Sequence, residues 1–349
     1  MNRHETALEI LHKGTVIPAT TLVLHDDGTF HEKQQRLLVR YYLEAGSGGI
    51  ATAVHSTQFA IREPGIDLFE PIISVVSDEV EKFEKETGKV IVKVCGVCGE
   101  TEQAVTEAYL AKKYGFDAVL LSPGGLRHLS EAEMIQRTKK VAEVMPVIGF
   151  YLQTAVGGTT FSYDYWAQVA EIENLVAIKC ASFNRYTTQD VVRAVTLSSR
   201  ANKIALYTGN DDNIVIDLLT KYRYVKNGHI YENKFRGGLL GHWSIWTSKV
   251  VKLFDQIKDA TASDELLTLA AEITDCNAAF FDVAHGFKGC IPGMHEVLRR
   301  QGLVTSVRCI DPLEVLSEGQ AEEIERVYQM YPHLNDDVFV AEFLRKHND

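Results

Sequence analysis

Two hydrophobic periods alternate along most of the chain: short, almost continuous apolar runs, and longer stretches in which apolar residues recur every three or four positions. The short runs cover 15–24, 49–54, 89–96, 117–123, 146–153, 175–182, 203–209 and 237–241. They are too uniformly apolar for a sheet with one wet face, which predicts parallel strands covered by helices. The helical pattern falls between them, at 32–44, 68–86, 102–114, 130–144, 163–171, 187–199 and 212–221. Ser130 with Glu133 spells a capping box, and Thr187 to Asp190 a less strict one. Eight repeats of strand then helix predict an α/β fold closed as a (β/α)8 TIM barrel. An open, doubly wound sheet is the competitor, but it needs a glycine-rich turn after its first strand, and Leu24-His25-Asp26-Asp27-Gly28 holds one glycine.

Between the seventh and eighth runs, Asn227-Gly228 signals a type I′ hairpin on the barrel face away from chemistry, read as decoration or an oligomer contact. From Ser244 onward the pattern is helical, with a capping box at Ser317 to Gln320 and a helix stop at Tyr331-Pro332. The expected organisation is a barrel over 1–243 and a C-terminal helical region over 244–349 packed on it.

Composition narrows the function. The net charge of −11 argues against nucleic acid or an anionic membrane as a partner. The first residues are polar and no long apolar run follows, so neither a leader nor a membrane span is expected and the cytoplasm is the default address. The six cysteines read as reduced thiols; Cys95-Gly96-Val97-Cys98 is a lone CxxC with no second pair to complete a zinc site.

Within the sixth run, Lys179 shares its face with Ala177 and Ala181, while Val176, Ile178 and Cys180 point the other way. A lysine looking into a dry space loses its proton readily, and a neutral amine attacks carbonyls to form a Schiff base. The bland alternative is an ion-paired lysine near a strand end. On the fifth run Tyr151 is read as inward-facing with Val147, Gly149 and Gln153, which puts a phenol beside the lysine for proton transfer; the alternative is a structural tyrosine hydrogen-bonded in the core. His55-Ser56-Thr57 ends the second strand, where consecutive hydroxyls can hold a carboxylate or simply shape a turn. Gly209, Asp211 and Asp212 end the seventh strand, where the glycine admits a ligand and the two acids can accept its hydrogen bonds or cap the next helix. Gly237-Gly238 and Gly241-His242 form a loose phosphate-cradle pattern. A metal reading would use His55, His242 and Asp211, although no HxH or HExxH spacing supports it.

These residues together resemble the dihydrodipicolinate synthase and N-acetylneuraminate lyase family of class I aldolases, from about Thr15 to about Gly241. The likeness rests on Ile148-Gly149-Phe150-Tyr151 followed by Val176-Ala177-Ile178-Lys179. It implies that Lys179 forms an imine with pyruvate or a related 2-oxo acid, that Tyr151 shuttles protons, that Ser56 and Thr57 bind the carboxylate with Thr57 relaying protons, and that Gly209, Asp211 and Asp212 contact the second substrate. It also implies a homo-oligomer, dimer or tetramer, and no cofactor or metal. Three departures point away from the lysine-pathway reaction. The family's Gly-Thr-Thr-Gly-Glu reads His55-Ser56-Thr57-Gln58-Phe59; its tyrosine pair after the fourth strand reads Pro123-Gly124-Gly125; and its arginine five residues beyond the tyrosine is Val156. The expected activity is therefore a Schiff-base lyase or aldolase acting on a 2-oxo acid, breaking or making a carbon–carbon or carbon–oxygen bond. The alternatives are a metal-dependent barrel lyase or hydrolase, or a non-catalytic binding member of the family.

Overall fold

A computed structural model describes residues 1–347. Along the chain, helix α1 (Arg3–Lys13) precedes strand β1 (Val16–Pro18), and the repeats follow as α2 (Glu32–Glu44), β2 (Gly49–Thr52), α3 (Phe69–Thr87), β3 (Val92–Val97), α4 (Thr101–Lys113), β4 (Ala118–Leu121), α5 (Glu131–Ala142) and β5 (Val147–Leu152). Then come α6 (Tyr163–Val169), β6 (Leu175–Ala181), α7 (Arg185–Leu197), β7 (Ala205–Thr208), α8 (Ile214–Leu219), the hairpin β8 (Tyr222–Lys226) and β9 (His229–Asn233), and β10 (Phe235–Leu240). Five more helices complete the described chain: α9 (Thr247–Ile257), α10 (Asp264–Phe280), α11 (Cys290–Arg300), α12 (Gln320–Met330) and α13 (Asp337–His347).

Eight strands pair in parallel in the order β1-β10-β7-β6-β5-β4-β3-β2, and the Ala19–Ala51 bridge closes β1 onto β2. This is the (β/α)8 barrel the alternation predicts. Its interior is a core of its own, built from Ile17, Ala51, Val92, Val94, Ala118, Leu120, Ile148, Ala177 and Leu239 among others, while a second, larger core lies between the strands and the helices. The hairpin forms as its Asn-Gly signal requires, with Lys226 opposite His229 and both Asn227 (φ 52°) and Gly228 (φ 76°) left-handed.

Helix α1 is not among the helices the hydrophobic pattern predicts. It starts from a reciprocal cap between Asn2 and Glu5, and it buries Ala7 and Leu11 in the barrel's inner core. The Tyr207 hydroxyl donates to the Leu11 carbonyl at 2.7 Å, so the helix closes the bottom of the barrel. At the other end the tail helices join the outer core: Ile273, Phe280, Met294, Val327 and Phe343 belong to the same cluster as Leu38 and Trp166. Among the described residues no helix is long and apolar enough to cross a membrane.

Candidate active site

Lys179 leaves β6 toward the barrel axis and is 8% exposed. Its path is open because β7 is followed by Gly209, where a Cβ would lie 2.4 Å from the lysine Cε and 2.9 Å from the Ala181 Cβ. The amine ends 4.5 Å above the Phe150 ring, whose Cα is the register partner of Lys179 across β5 and β6. Among the described residues it has no ion-pair or hydrogen-bond partner. Burial pulls its ammonium down to about 8, only partly opposed by the Asp211 charge. A cation over an aromatic face gains some attraction, but that does not replace water or a carboxylate. The lysine is thus held where the neutral, nucleophilic form is within reach.

Asp211 is the acid facing the same cavity. The His242 backbone N–H donates to its Oδ1 at 3.1 Å, and Asn277 of α10 donates to its backbone carbonyl at 2.7 Å. Burial pushes its carboxyl up to about 7, against the pull of the His242 N–H and of Lys179. Burial acts on both groups of this cavity in opposite senses, pulling the amine down and pushing the acid up, each toward neutrality. Asp212 turns away. It lies 3.9 Å from Arg185 at the surface, and its carbonyl accepts from Thr274 of α10 at 2.9 Å.

His55, Ser56 and Thr57 form a short 3-10 turn after β2. His55 and Ser56 line the cavity, which encloses about 70 Å³. Burial and the nearby Lys179 hold the His55 imidazole down to about 4, so it is neutral at physiological pH. Ser56 Oγ donates to the Ala19 carbonyl at 2.7 Å. Thr57 is fully buried and does not line the cavity; its Oγ1 donates to the Thr20 carbonyl at 2.7 Å and accepts from the Val54 N–H at 3.3 Å. The turn is a ledge bonded to the segment that follows β1, and Ser56 is its hydroxyl at the cavity wall.

Comparison with known proteins adds a family to this geometry. The sequence profile of the dihydrodipicolinate synthetase family matches residues 12–221, more than half of the chain. The chain belongs to this family. A 4-hydroxy-tetrahydrodipicolinate synthase from Marinobacter nauticus is 25% identical over 199 residues, a match spanning 56% of this chain and 63% of that relative. Among solved structures, the dihydrodipicolinate synthase of Acinetobacter baumannii, complexed with pyruvate, superposes with a TM-score of 0.73 at 20% identity, covering 90% of this chain and 98% of that one. The N-acetylneuraminate lyase of Fusobacterium nucleatum, also complexed with pyruvate, gives 0.71 at 16% identity over 92% and 97%. At these identities the structures establish a shared barrel fold.

Within this family frame, the structure corrects the reading of β5. Ile148, Phe150 and Leu152 face the barrel interior, while Val147 and Tyr151 face the helices. Alternation tells which residues share a face but not which face is inside; here the helix layer decides. Trp166 of α6 packs beside Gly149, where a Cβ would sit 3.6 Å from its ring, and lies 5.4 Å from the Tyr151 ring. The Tyr151 hydroxyl meets the Phe161 N–H at 3.4 Å, behind the sheet and away from Lys179. The inward position opposite the lysine is Phe150, which has no proton to move. Tyr151 is a core residue, Thr57 supports the turn from below, and Asp212 serves the surface.

Other expected features resolve in the same way. Gly237 and Gly238 are occupied by packing: a Cβ on Gly237 would lie 2.4 Å from the Thr15 carbonyl oxygen, and one on Gly238 2.5 Å from the Trp243 ring. Neither is open to a phosphate. Among the described residues no three His, Cys, Asp or Glu side chains converge as metal ligands. Cys95 is buried and Cys98 half-buried, both with free thiols that burial makes harder to ionise.

The residues that sequence reasoning missed come from the tail. Phe281, Phe287, Cys290 and Met294 line the cavity, with Phe281 and Met294 packed where Gly241 leaves room. Nothing in their local pattern marks them.

Proposed function

We propose that this family member is a class I lyase or aldolase in which Lys179 forms a Schiff base with pyruvate or a related 2-oxo acid. The observation that carries this is the partnerless, buried amine at the cavity floor, kept clear by Gly209 and Ala181 and faced by an acid near its own titration range. The pyruvate complexes of the similar solved structures support the same class of ligand.

In this reading the neutral amine attacks the keto carbon, and the carbinolamine loses its hydroxyl as water with a proton from Asp211. The resulting iminium withdraws electrons from the adjacent carbon. Asp211, now a carboxylate, takes the proton that leaves that carbon, giving the enamine. In the cleavage direction it takes the proton of the 4-hydroxyl as the carbon–carbon bond breaks. Asp211 replaces the expected phenol because it is the ionisable acid in the wall whose proton moves near neutral pH. Ser56, on the ledge after β2, is placed to meet the 2-oxo acid's carboxylate by exchanging its bond to the Ala19 carbonyl. The chemistry uses the lysine itself and needs no cofactor.

The reading includes a cytoplasmic homo-oligomer. Val225 and Ile230, opposite one another near the hairpin tip and 69% and 63% exposed, support a surface that a second copy covers. Borohydride reduction in the presence of pyruvate tests the chemistry: peptide mass spectrometry is expected to find the reduced adduct on Lys179. An adduct on another residue, or none with any 2-oxo acid, overturns it.

A further inference from the structure

We propose that the outer half of the cavity is a binding subsite for an uncharged, apolar aldehyde, aromatic aldehydes foremost, as the second substrate; this rests on the Schiff-base reading of Lys179. The polar groups of the wall gather at the lysine end, around Ser56, His55 and Asp211. Most of the remaining wall is apolar: Val156 from the loop after β5, Phe183 from the loop after β6, and Phe281, Phe287 and Met294 from the tail, with the Gln153 amide as the exception. Lys179 is the one cation among the described lining residues, and imine formation commits it to the first substrate. A second carboxylate would find no positive partner there, and a polyol would find the Gln153 amide as its one polar partner beyond the lysine end, so each would lose more hydration than is replaced.

Phe183 and Phe287 show that the apolar wall is constructed rather than incidental. Their rings lie parallel, 7° apart with centroids 5.8 Å from one another, across the junction between barrel and tail. Each is half-buried, and each is held in the left-handed region, at φ 48° and φ 70°. Bulky residues avoid that conformation unless the surroundings impose it, and such strain collects at ligand clamps. The surroundings here are specific. Asn210 accepts from the Phe183 N–H at 3.0 Å. Buried Asp282 accepts from the Gly289 N–H at 2.9 Å and the Ser317 hydroxyl at 2.5 Å, and bonds His285 at 2.6 Å, clamping the base of the loop that carries Phe287.

In the synthetic direction the enamine carbon bonds to the aldehyde carbon and the carbonyl electron pair moves to oxygen, which takes the proton from Asp211. Water then adds to the iminium, and release of the 4-hydroxy-2-oxo acid regenerates the free lysine. The atoms of pyruvate and aldehyde are all kept in the product.

The experiment incubates the full chain with pyruvate and, separately, benzaldehyde, succinic semialdehyde and erythrose, and measures each adduct by chromatography alongside borohydride trapping on Lys179. The expected kcat/KM for benzaldehyde exceeds the other two by about tenfold or more. Phe287→Ala is expected to shrink that advantage about tenfold, and Val156→Arg to swing the ratio toward the semialdehyde by at least about as much. Preference of the unaltered enzyme for the semialdehyde or erythrose, a benzaldehyde advantage untouched by both variants, or no aldehyde product beside an intact pyruvate adduct would each overturn the subsite and leave the lysine chemistry standing. Failure of pyruvate trapping itself removes the Schiff-base reading, and the subsite with it.

Discussion

Two lysines sit inside apolar barrel strands of this protein, and both are almost fully buried: Lys93 of β3 at 2% exposure and Lys179 of β6 at 8%. Burial pulls both ammonium groups down. The difference is what surrounds the nitrogen. Lys93 points outward, where Ser77 accepts at 2.9 Å, Glu81 at 3.2 Å and the Tyr114 carbonyl at 3.5 Å, so its charge is compensated on the helix side of the sheet. Lys179 points inward to an aromatic face, a glycine and a cavity, with its nearest acid beyond ion-pair reach. A buried lysine with three oxygens has its charge compensated in place; one without a partner beside open space does not, which is the setting that favours a neutral amine.

The sharpest test of this contrast is to remove each amine in turn. Lys179→Ala is expected to abolish borohydride trapping and lower turnover by about 10³-fold or more, since the covalent step has no substitute. Next in size, Asp211→Asn keeps the shape of the wall but removes its mobile proton, with an expected loss of about 10²-fold or more in kcat and much less in pyruvate KM. Steady-state kinetics with the best aldehyde separates the two constants. Gly209→Ala puts a methyl against the lysine Cε, and a displaced nucleophile is expected to cost about 10²-fold in trapping rate while melting stays cooperative.

The pH dependence follows from the same asymmetry. Because the Lys179 ammonium titrates at about 8, the reactive neutral fraction shrinks as pH falls through that value. The trapping rate is expected to drop about tenfold per unit well below it, and a flat profile from pH 6 to 9 would place the reacting group elsewhere. Smallest are the two decoys. Lys93→Met is expected to leave trapping intact and to reduce stability by about 1–3 kcal/mol in urea unfolding, because the Ser77 hydroxyl and the Glu81 carboxylate lose their donor. Tyr151→Phe is expected to leave the rate within about twofold, since its hydroxyl makes one long bond behind the sheet.

Strand by strand, the barrel was legible in the sequence because parallel strands covered on both faces must be apolar, and helices between them must carry one apolar stripe. The hairpin at Asn227-Gly228 was legible because two consecutive left-handed residues restrict the choice of side chain. Lys179 stood out because a charged residue within an apolar run is costly and needs a reason. Lys93 carries the same local signal, and nothing within a few residues of either lysine separates them. Thr57 and Tyr151 looked like chemistry for the same reason: a hydroxyl in a strand or turn is legible, its direction is not.

What the sequence by itself determined is the repeat, its count, and the lysine on an alanine-lined face, since these depend on local periodicity and on short-range stereochemistry. Tertiary structure alone decided that Phe150 rather than Tyr151 faces that lysine, because Trp166 claims the outer surface of β5 from another helix. It alone carried Phe281, Phe287 and Met294 across the barrel mouth and tied Asp211 to Asn277, far along the chain from Lys179. Faces and lids are set by which surfaces meet when helices pack on strands, and that choice is made by shape and desolvation over the whole molecule rather than by any residue's neighbours in sequence.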